Sequence, residues 1–177
     1  MKRAQLPTQR INVSFLTATI FDIPMIFDLM YEGSVAGSFG AVFVERTGSV
    51  KLLVMIFKSL VAQSFQSPRS GKRYEWQVVV DSNEDKVGFL KHSVILGNVQ
   101  SQHLELFAIL PEYRNKGVGT AVLQDIISNL LQGTQIMVYC TKYAMTMQHI
   151  LKRQRFKRSV RFSSPHLEEY VLRKDKI

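Results

Sequence analysis

The chain has 177 residues, 46% of them apolar, a formal charge of +9 and a single cysteine, Cys140. That size and apolar content fit one domain, 1–177, with a real core. The lone cysteine excludes an internal disulfide, in keeping with a reducing, cytoplasmic setting. The basic start MKRAQLPTQR is not followed by the apolar stretch of a secretory leader, and Val50–Ala62, interrupted by Lys51 and Lys58, falls short of the ~20 residues of a membrane span, so no membrane partner is expected.

In chain order, residues 11–16 (INVSFL) read as a first strand. Thr19 or Asp22 can cap a helix to about Glu32, with Ile23, Ile26, Phe27 and Met30 on one face. Gly33–Gly48 is glycine-rich and reads as loop, Ser49–Gln63 as a second helix, and Ser67–Arg73 as turn. Three strands follow, Tyr74–Asp81, Lys86–Ile95 and His103–Leu110, with SNED and LGNVQSQ as turns between them, forming an antiparallel meander. From Gly117 the period becomes helical: Val122, Leu123, Ile126, Ile127, Leu130 and Leu131 make an apolar stripe, and Gly133 suits a C-cap. Gln135–Thr141 is a strand, Met145–Gln154 a helix, and VRFS and LEEYVLRK are closing strands. The order β-α-α-β-β-β-α-β-α-β-β predicts an α+β or α/β protein with a mixed sheet.

The stretch LPEYRNKGVGTAVLQDII, Leu110–Ile127, carries the chemistry. Gly117-Val118-Gly119 stands after a strand and opens a helix. First-turn N–H groups have no internal partner, the helix dipole adds partial positive charge, glycine lets a ligand approach, and Arg114 and Lys116 add full charges. Together these make a phosphate cradle. A Walker loop fails, because Gln66 and Arg73 stand where Gly and Ser/Thr are required around Gly71-Lys72. A dinucleotide fingerprint fails at Val122 and for want of an acid about 20 residues on.

Arg114-Asn115-Lys116-Gly117-Val118-Gly119, with LFAILPEY before it and the striped helix after it, resembles the R/Q-x-x-G-x-G/A motif of the GNAT superfamily of acyl-CoA-dependent N-acyltransferases. The order of elements extends the resemblance over nearly the whole chain. It implies a mixed, mostly antiparallel central sheet flanked by helices in three layers, splayed at the acyl-CoA site. It also implies acetyl-CoA as cosubstrate and no metal. The coenzyme A pyrophosphate would rest on N–H groups from Asn115 to Gly119, across Lys116, Gly117 and Val118, with Arg114 supplying charge and Thr120 a hydroxyl. The pantetheine arm would pair with Phe107, Ala108 and Ile109. Family members are often dimers, so a homodimer is open.

In that family an amine attacks the thioester directly, so a base must take its proton, and a strand N–H, that of Ile109, would polarise the carbonyl. Alternation puts His103, Glu105 and Phe107 on one face; Glu105 is the first candidate base and His103 the second. The Tyr that often serves as acid is Leu151 here, the following Gly is Arg155, the Phe is kept as Phe156, and the usual upstream Asn is Ala144. Tyr143 or Tyr139 are the substitutes, or no acid is needed; His149 reads as a helix-surface residue and Cys140 as a core residue. Lys152, Arg153, Arg155, Lys157, Arg158 and Arg161 lie within ten residues with no acid among them. They form either a solvated helix face or an anion site, which by resemblance would serve coenzyme A rather than nucleic acid. The acceptor is a primary amine of a small molecule or peptide, and the positive charge mildly favours acidic acceptors over polyamines. The second reading is a catalytically degenerate module of the same fold that senses acyl-CoA or binds nucleic acid or protein.

Overall fold

The computed structural model describes residues 11–39, 46–65, 72–95, 101–160, 164 and 166–174. Its strands are β1 (Val13–Thr17), β2 (Lys72–Asp81), β3 (Lys86–Ile95), β4 (Ser101–Ile109), β5 (Gln135–Thr141), β6 (Lys157–Arg158) and β7 (Leu167–Arg173). The helices are α1 (Ile23–Val35), α2 (Arg46–Ser64), α3 (Val118–Ser128) and α4 (Met145–Arg153). The strands form one sheet in the order β1-β2-β3-β4-β5-β7-β6, antiparallel except where β4 meets β5. Each face is buried by a helix pair, giving three layers. Ile26, Leu29, Leu52 and Ile56 of α1 and α2 pack with Trp76 and Phe89 on one side. Val122 and Leu123 of α3 and Leu151 of α4 pack with Leu104, Ile136 and Val138 on the other.

Local chemistry explains the element ends. Thr19 caps the short 3-10 turn Ile20–Asp22 that leads into α1, and its backbone N–H donates to Asp22 Oδ2 at 2.7 Å. Lys86 Nζ donates to the other Asp22 oxygen at 2.7 Å, tying the start of α1 to β3. Burial raises the Asp22 pKa, but the bonds from Lys86 and Thr19 outweigh it and hold the carboxyl below its ordinary range. Between β2 and β3, Asp81 Oδ1 accepts the N–H groups of Asn83 and Asp85, the self-bonding expected of Asp in a turn.

Several expectations are corrected. α3 stops at Ser128, because the Ser128 hydroxyl and the Asn129 amide bond back to Asp125. Leu130 then turns into the core, Leu131 is exposed, and Gly133 serves a later turn at φ 79° rather than capping the helix. A short strand forms earlier than expected, at Lys157–Arg158, after Arg155 at φ 66° reverses the chain; Val160, the first residue of the expected VRFS strand, is exposed and outside any strand, and the remaining residues 161–163 lie outside the described residues. Lys72 and Arg73 belong to β2 and Ser101 and Gln102 to β4; the rest of the expected turns, 67–71 and 96–100, lies outside the described residues. The same holds for 40–45 of the expected Gly33–Gly48 loop, while α1 runs on to Val35 and α2 begins at Arg46.

Candidate active site

β4 and β5 pair only from Ser101–Leu104 against Gln135–Val138. Beyond that they part, β4 running on to Ile109 and β5 to Thr141, and a cleft of about 430 Å³ opens between them. Leu110 N–H is bonded to Val87 O on the β3 side. Strand alternation therefore turns the main-chain groups of Ile109 and Phe107 into the gap, and Arg114 Nε reaches the Ile109 carbonyl there at 2.8 Å. Ala108 faces the other way: a Cβ at Gly88 of β3 would overlap the Ala108 carbonyl oxygen. Of the three residues expected to pair with an acyl-CoA arm, Phe107 and Ile109 present polar main chain to the cleft and Ala108 does not.

A bulge reshapes β4. Lys91 pairs with Leu106 and His92 with Leu104, which leaves Glu105 as an extra residue. The expected face of His103, Glu105 and Phe107 is thereby broken. Phe107 packs with Leu104 toward α3 and α4, while Leu106 and Ala108 pack toward α1 and α2. Glu105 lies on the α1–α2 side, where its Oε1 accepts the Ser93 hydroxyl at 2.9 Å and its Oε2 pairs with Lys91 Nζ at 2.8 Å. His103 meets the Tyr139 ring at 6.1 Å on that same side. Glu105 lines the cleft and His103 does not.

The loop from β4 to α3 has the geometry its glycines demand. Gly117 sits at φ 87°, where a side chain is strained, and Asn115 takes φ 60° before it, a region Asn tolerates. α3 begins at Val118 with Ala121 N–H bonded to Gly117 O, so the N–H groups of Val118, Gly119 and Thr120 have no acceptor in the preceding turn. A Cβ on Gly119 would point between Ile150 and Phe107, the floor of the cleft. Lys116 lies over the Tyr113 ring at 5.5 Å. Arg114, expected to supply charge to the cradle, is paired within the chain: its Nη1 and Nη2 donate to Glu32 Oε1 and Oε2 at 2.6 and 2.8 Å. The Arg114 bond holds the Glu32 carboxyl below its usual range, and Glu32 raises Arg114 in turn.

Tyr143 stands at the rim, 75% exposed, packed on Gly37 after α1. Tyr139 lines the cleft, its hydroxyl pushed up to about 12 by burial and by its hydrogen bond to Glu169. Leu151, where the related pattern has Tyr, is fully buried in the core, and Ile150 and Met147 face the cleft instead. Cys140 is buried, its thiol pushed up to about 12 chiefly by burial, which disfavours the thiolate form a nucleophile needs. The first turn of α4 lines the cleft, whereas Lys152 and Arg153 close the helix at its far end. Lys152, Arg153, Arg155, Lys157 and Arg158 do not line the cleft, although Ile150, two residues before Lys152, does; Arg161 lies outside the described residues. Glu32, Lys91 and Ser93 escaped the sequence reading. Lys91, between Phe89 and Ser93 on an inward-facing row of β3, carried the one available signal, a charge at an apolar register.

Residues 58–153, more than half the chain, match the family model described as acetyltransferase (GNAT) family. No curated protein sequence is significantly similar. Among solved structures, an acetyltransferase from Thermus thermophilus is 16% identical, with 92% of this chain and 97% of that one covered at TM-score 0.64. The spermidine N-acetyltransferase of Vibrio cholerae, in complex with CoA and spermine, is 14% identical, covering 92% and 95% at TM-score 0.64. A ribosomal L7/L12 alpha-N-protein acetyltransferase in complex with coenzyme A is 10% identical, covering 96% and 97% at TM-score 0.63. At these identities the likeness is one of fold. Among the described residues no helix is long and apolar enough to cross a membrane.

Proposed function

The chain belongs to the acetyltransferase (GNAT) family of acyl-CoA-dependent enzymes, and from that premise we propose that it transfers an acetyl group from acetyl-CoA to a primary amine of a small molecule or peptide, by direct attack in a ternary complex. The observation that carries this reading is the coincidence, at one cleft, of an uncapped α3 N-terminus, a left-handed Gly117 and a β4 edge with its main chain turned into the gap. The residues present suit acetyl-CoA. The first-turn N–H groups from Val118 to Thr120, with Asn115, Lys116 and Gly117, hold the pyrophosphate, and Phe107 and Ile109 pair with the amide arm.

The thioester supplies an activated acetyl group. Ile109 N–H polarises its carbonyl, a contribution of about 3 kcal/mol for one such donor. The amine nitrogen forms the new bond to the carbonyl carbon as the carbon–sulfur bond breaks. Glu105 takes the proton from the amine, directly or through a water, and His103 supports that side of the sheet. Tyr143 returns a proton to the departing thiolate.

Thiol release from acetyl-CoA with a panel of primary amines tests this. Glu105→Gln is expected to lower kcat about 10²-fold while leaving the KM for acetyl-CoA unchanged; an unchanged kcat removes Glu105 as the base. Tyr143→Phe is expected to have a smaller effect. One observation favours a second reading, a degenerate acyl-CoA-sensing module: Leu151 fills the core at the position of the usual acid. Acetyl-CoA binding without turnover of any amine would select it.

A further inference from the structure

The cleft is asymmetric about the sheet, and its α1 side identifies the acceptor more closely. That wall is built from Leu29, Gly33 and Phe39 of α1 and the turn after it, Leu106 of β4, and Tyr139 and Tyr143 of β5 and its following turn. The lack of a side chain on Gly33 makes room for Phe39, because a Cβ there would overlap the Phe39 ring. The surface is therefore aromatic and aliphatic by construction, and burying an apolar body against it is favourable.

Among the described residues two carboxylates line this cleft, Glu32 and Glu105. Each is already matched by a cation of the chain itself. Arg114 closes on Glu32 with two bonds at 2.6 and 2.8 Å. Lys91 closes on Glu105 at 2.8 Å, and its ammonium also lies 5.1 Å from the Tyr74 ring and 5.4 Å from the Trp76 ring. Lys91 is thus held by a carboxylate and two aromatic faces, mostly out of solvent, a setting in which a cation is strongly retained. An acceptor with further ammonium groups would have to displace one of these internal cations or leave its own charge unmatched in a largely apolar cleft, which is costly. An acceptor whose only charge is the reacting amine meets no such penalty.

Granted the transferase reading above, we propose that the acceptor is a monoamine on an uncharged apolar body, an alkylamine or arylalkylamine, and that Lys91 sets the selectivity against polyamines. Lys91 is a specificity-determining residue here. It touches neither reactant and acts by cancelling the charge of Glu105. Of the basic residues after α4, the described ones, Lys152, Arg153, Arg155, Lys157 and Arg158, do not line the cleft.

The test uses the full chain and two readouts. The first is kcat/KM by thiol release for 2-phenylethylamine, hexylamine, spermidine and the peptide Glu-Ala-Ala. The second is calorimetric binding of the same amines to protein loaded with desulfo-CoA. Phenylethylamine or hexylamine is expected to exceed spermidine and the acidic peptide at least tenfold in both. Lys91→Met is expected to narrow the monoamine-to-spermidine ratio at least fivefold, and Lys91→Arg to keep it. Because each ratio compares two amines on one enzyme, a change in the base itself cancels. Should Lys91→Met fail to fold, the wild-type panel and the arginine variant still decide. Preference for spermidine or the acidic peptide, a ratio indifferent to Lys91→Met, or desulfo-CoA binding with no amine bound would each overturn the proposal. Failure to bind desulfo-CoA would overturn the transferase reading and this acceptor class with it.

Discussion

The two sides of the gap between β4 and β5 treat charge in opposite ways. Toward α3, the loop leaves first-turn N–H groups without internal acceptors, and Lys116 makes no ion pair among the described residues. Toward α1, Glu32 and Glu105, the two cleft carboxylates among the described residues, are matched by Arg114 and Lys91. On the function and acceptor class proposed above, the contrast assigns ligand charge to one side. The α3 side keeps its positive potential open for an anion that supplies the neutralising charge, and the α1 side cancels the charges of Glu32 and Glu105 internally, which suits an apolar body when water is excluded. Arg114 belongs to the loop by sequence and to the α1 side by contact, so one residue links the two halves.

The largest expected effect strikes the first side alone. Gly117→Glu places a side chain at φ 87°, costing roughly 1–2 kcal/mol in strain, and sets a carboxylate where an anion should bind. Acetyl-CoA affinity is expected to fall at least ~100-fold, about 2.7 kcal/mol by the logarithmic relation of affinity to free energy, with the fold retained by circular dichroism. An intermediate effect should spare both sides. Asp22 ties α1 to β3 away from the cleft, so Asp22→Asn is expected to cost about 1–3 kcal/mol of stability, read by denaturant titration, with little change in acetyl-CoA affinity. Its pH dependence has a fixed sign. The folded pKa lies below the ordinary 3.8, so its contribution is full above that value and is lost as pH falls through the lower folded value. The variant should lack that acid-side loss, and a parallel acid transition in both proteins would contradict the assignment.

The smallest effect concerns the bridge between the sides. The Glu32–Arg114 pair is about half exposed, so Glu32→Gln is expected to change stability by no more than ~1 kcal/mol. Its kinetic effect should be more informative: release of Arg114 raises the positive potential of the loop, so acetyl-CoA should bind a few-fold tighter at low salt, while the KM for the amine rises. Equal changes for both substrates would mean that Arg114 does not divide the two halves.

These regions also differed in how far the sequence disclosed them. The shape of the loop from β4 to α3 was legible because its parts lie within a few residues: the proline that ends the strand, Gly117 at the turn and the striped helix are all local signals. The strand order was legible for a related reason, since alternation and turn residues mark β2, β3 and β4 one after another. The α1 side was not legible. Glu32 and Arg114 meet across 82 positions, and no local pattern announces the pair. The bulge at Glu105 defeated strict alternation and moved Phe107 to the opposite face. The basic run of α4 was visible, but whether its residues line the cleft depended on which face of the helix turns to the gap, which only the packing of Leu151 and Ile150 determines.

The measurement that tests the central division most directly is calorimetric titration of acetyl-CoA into the wild-type chain, Gly117→Glu and Lys91→Met, each at low and high salt. The account predicts binding by the wild type that weakens with salt, near-abolition in Gly117→Glu, and an unchanged affinity in Lys91→Met. Equal binding by the wild type and Gly117→Glu, or a loss in Lys91→Met as large as in Gly117→Glu, would contradict it.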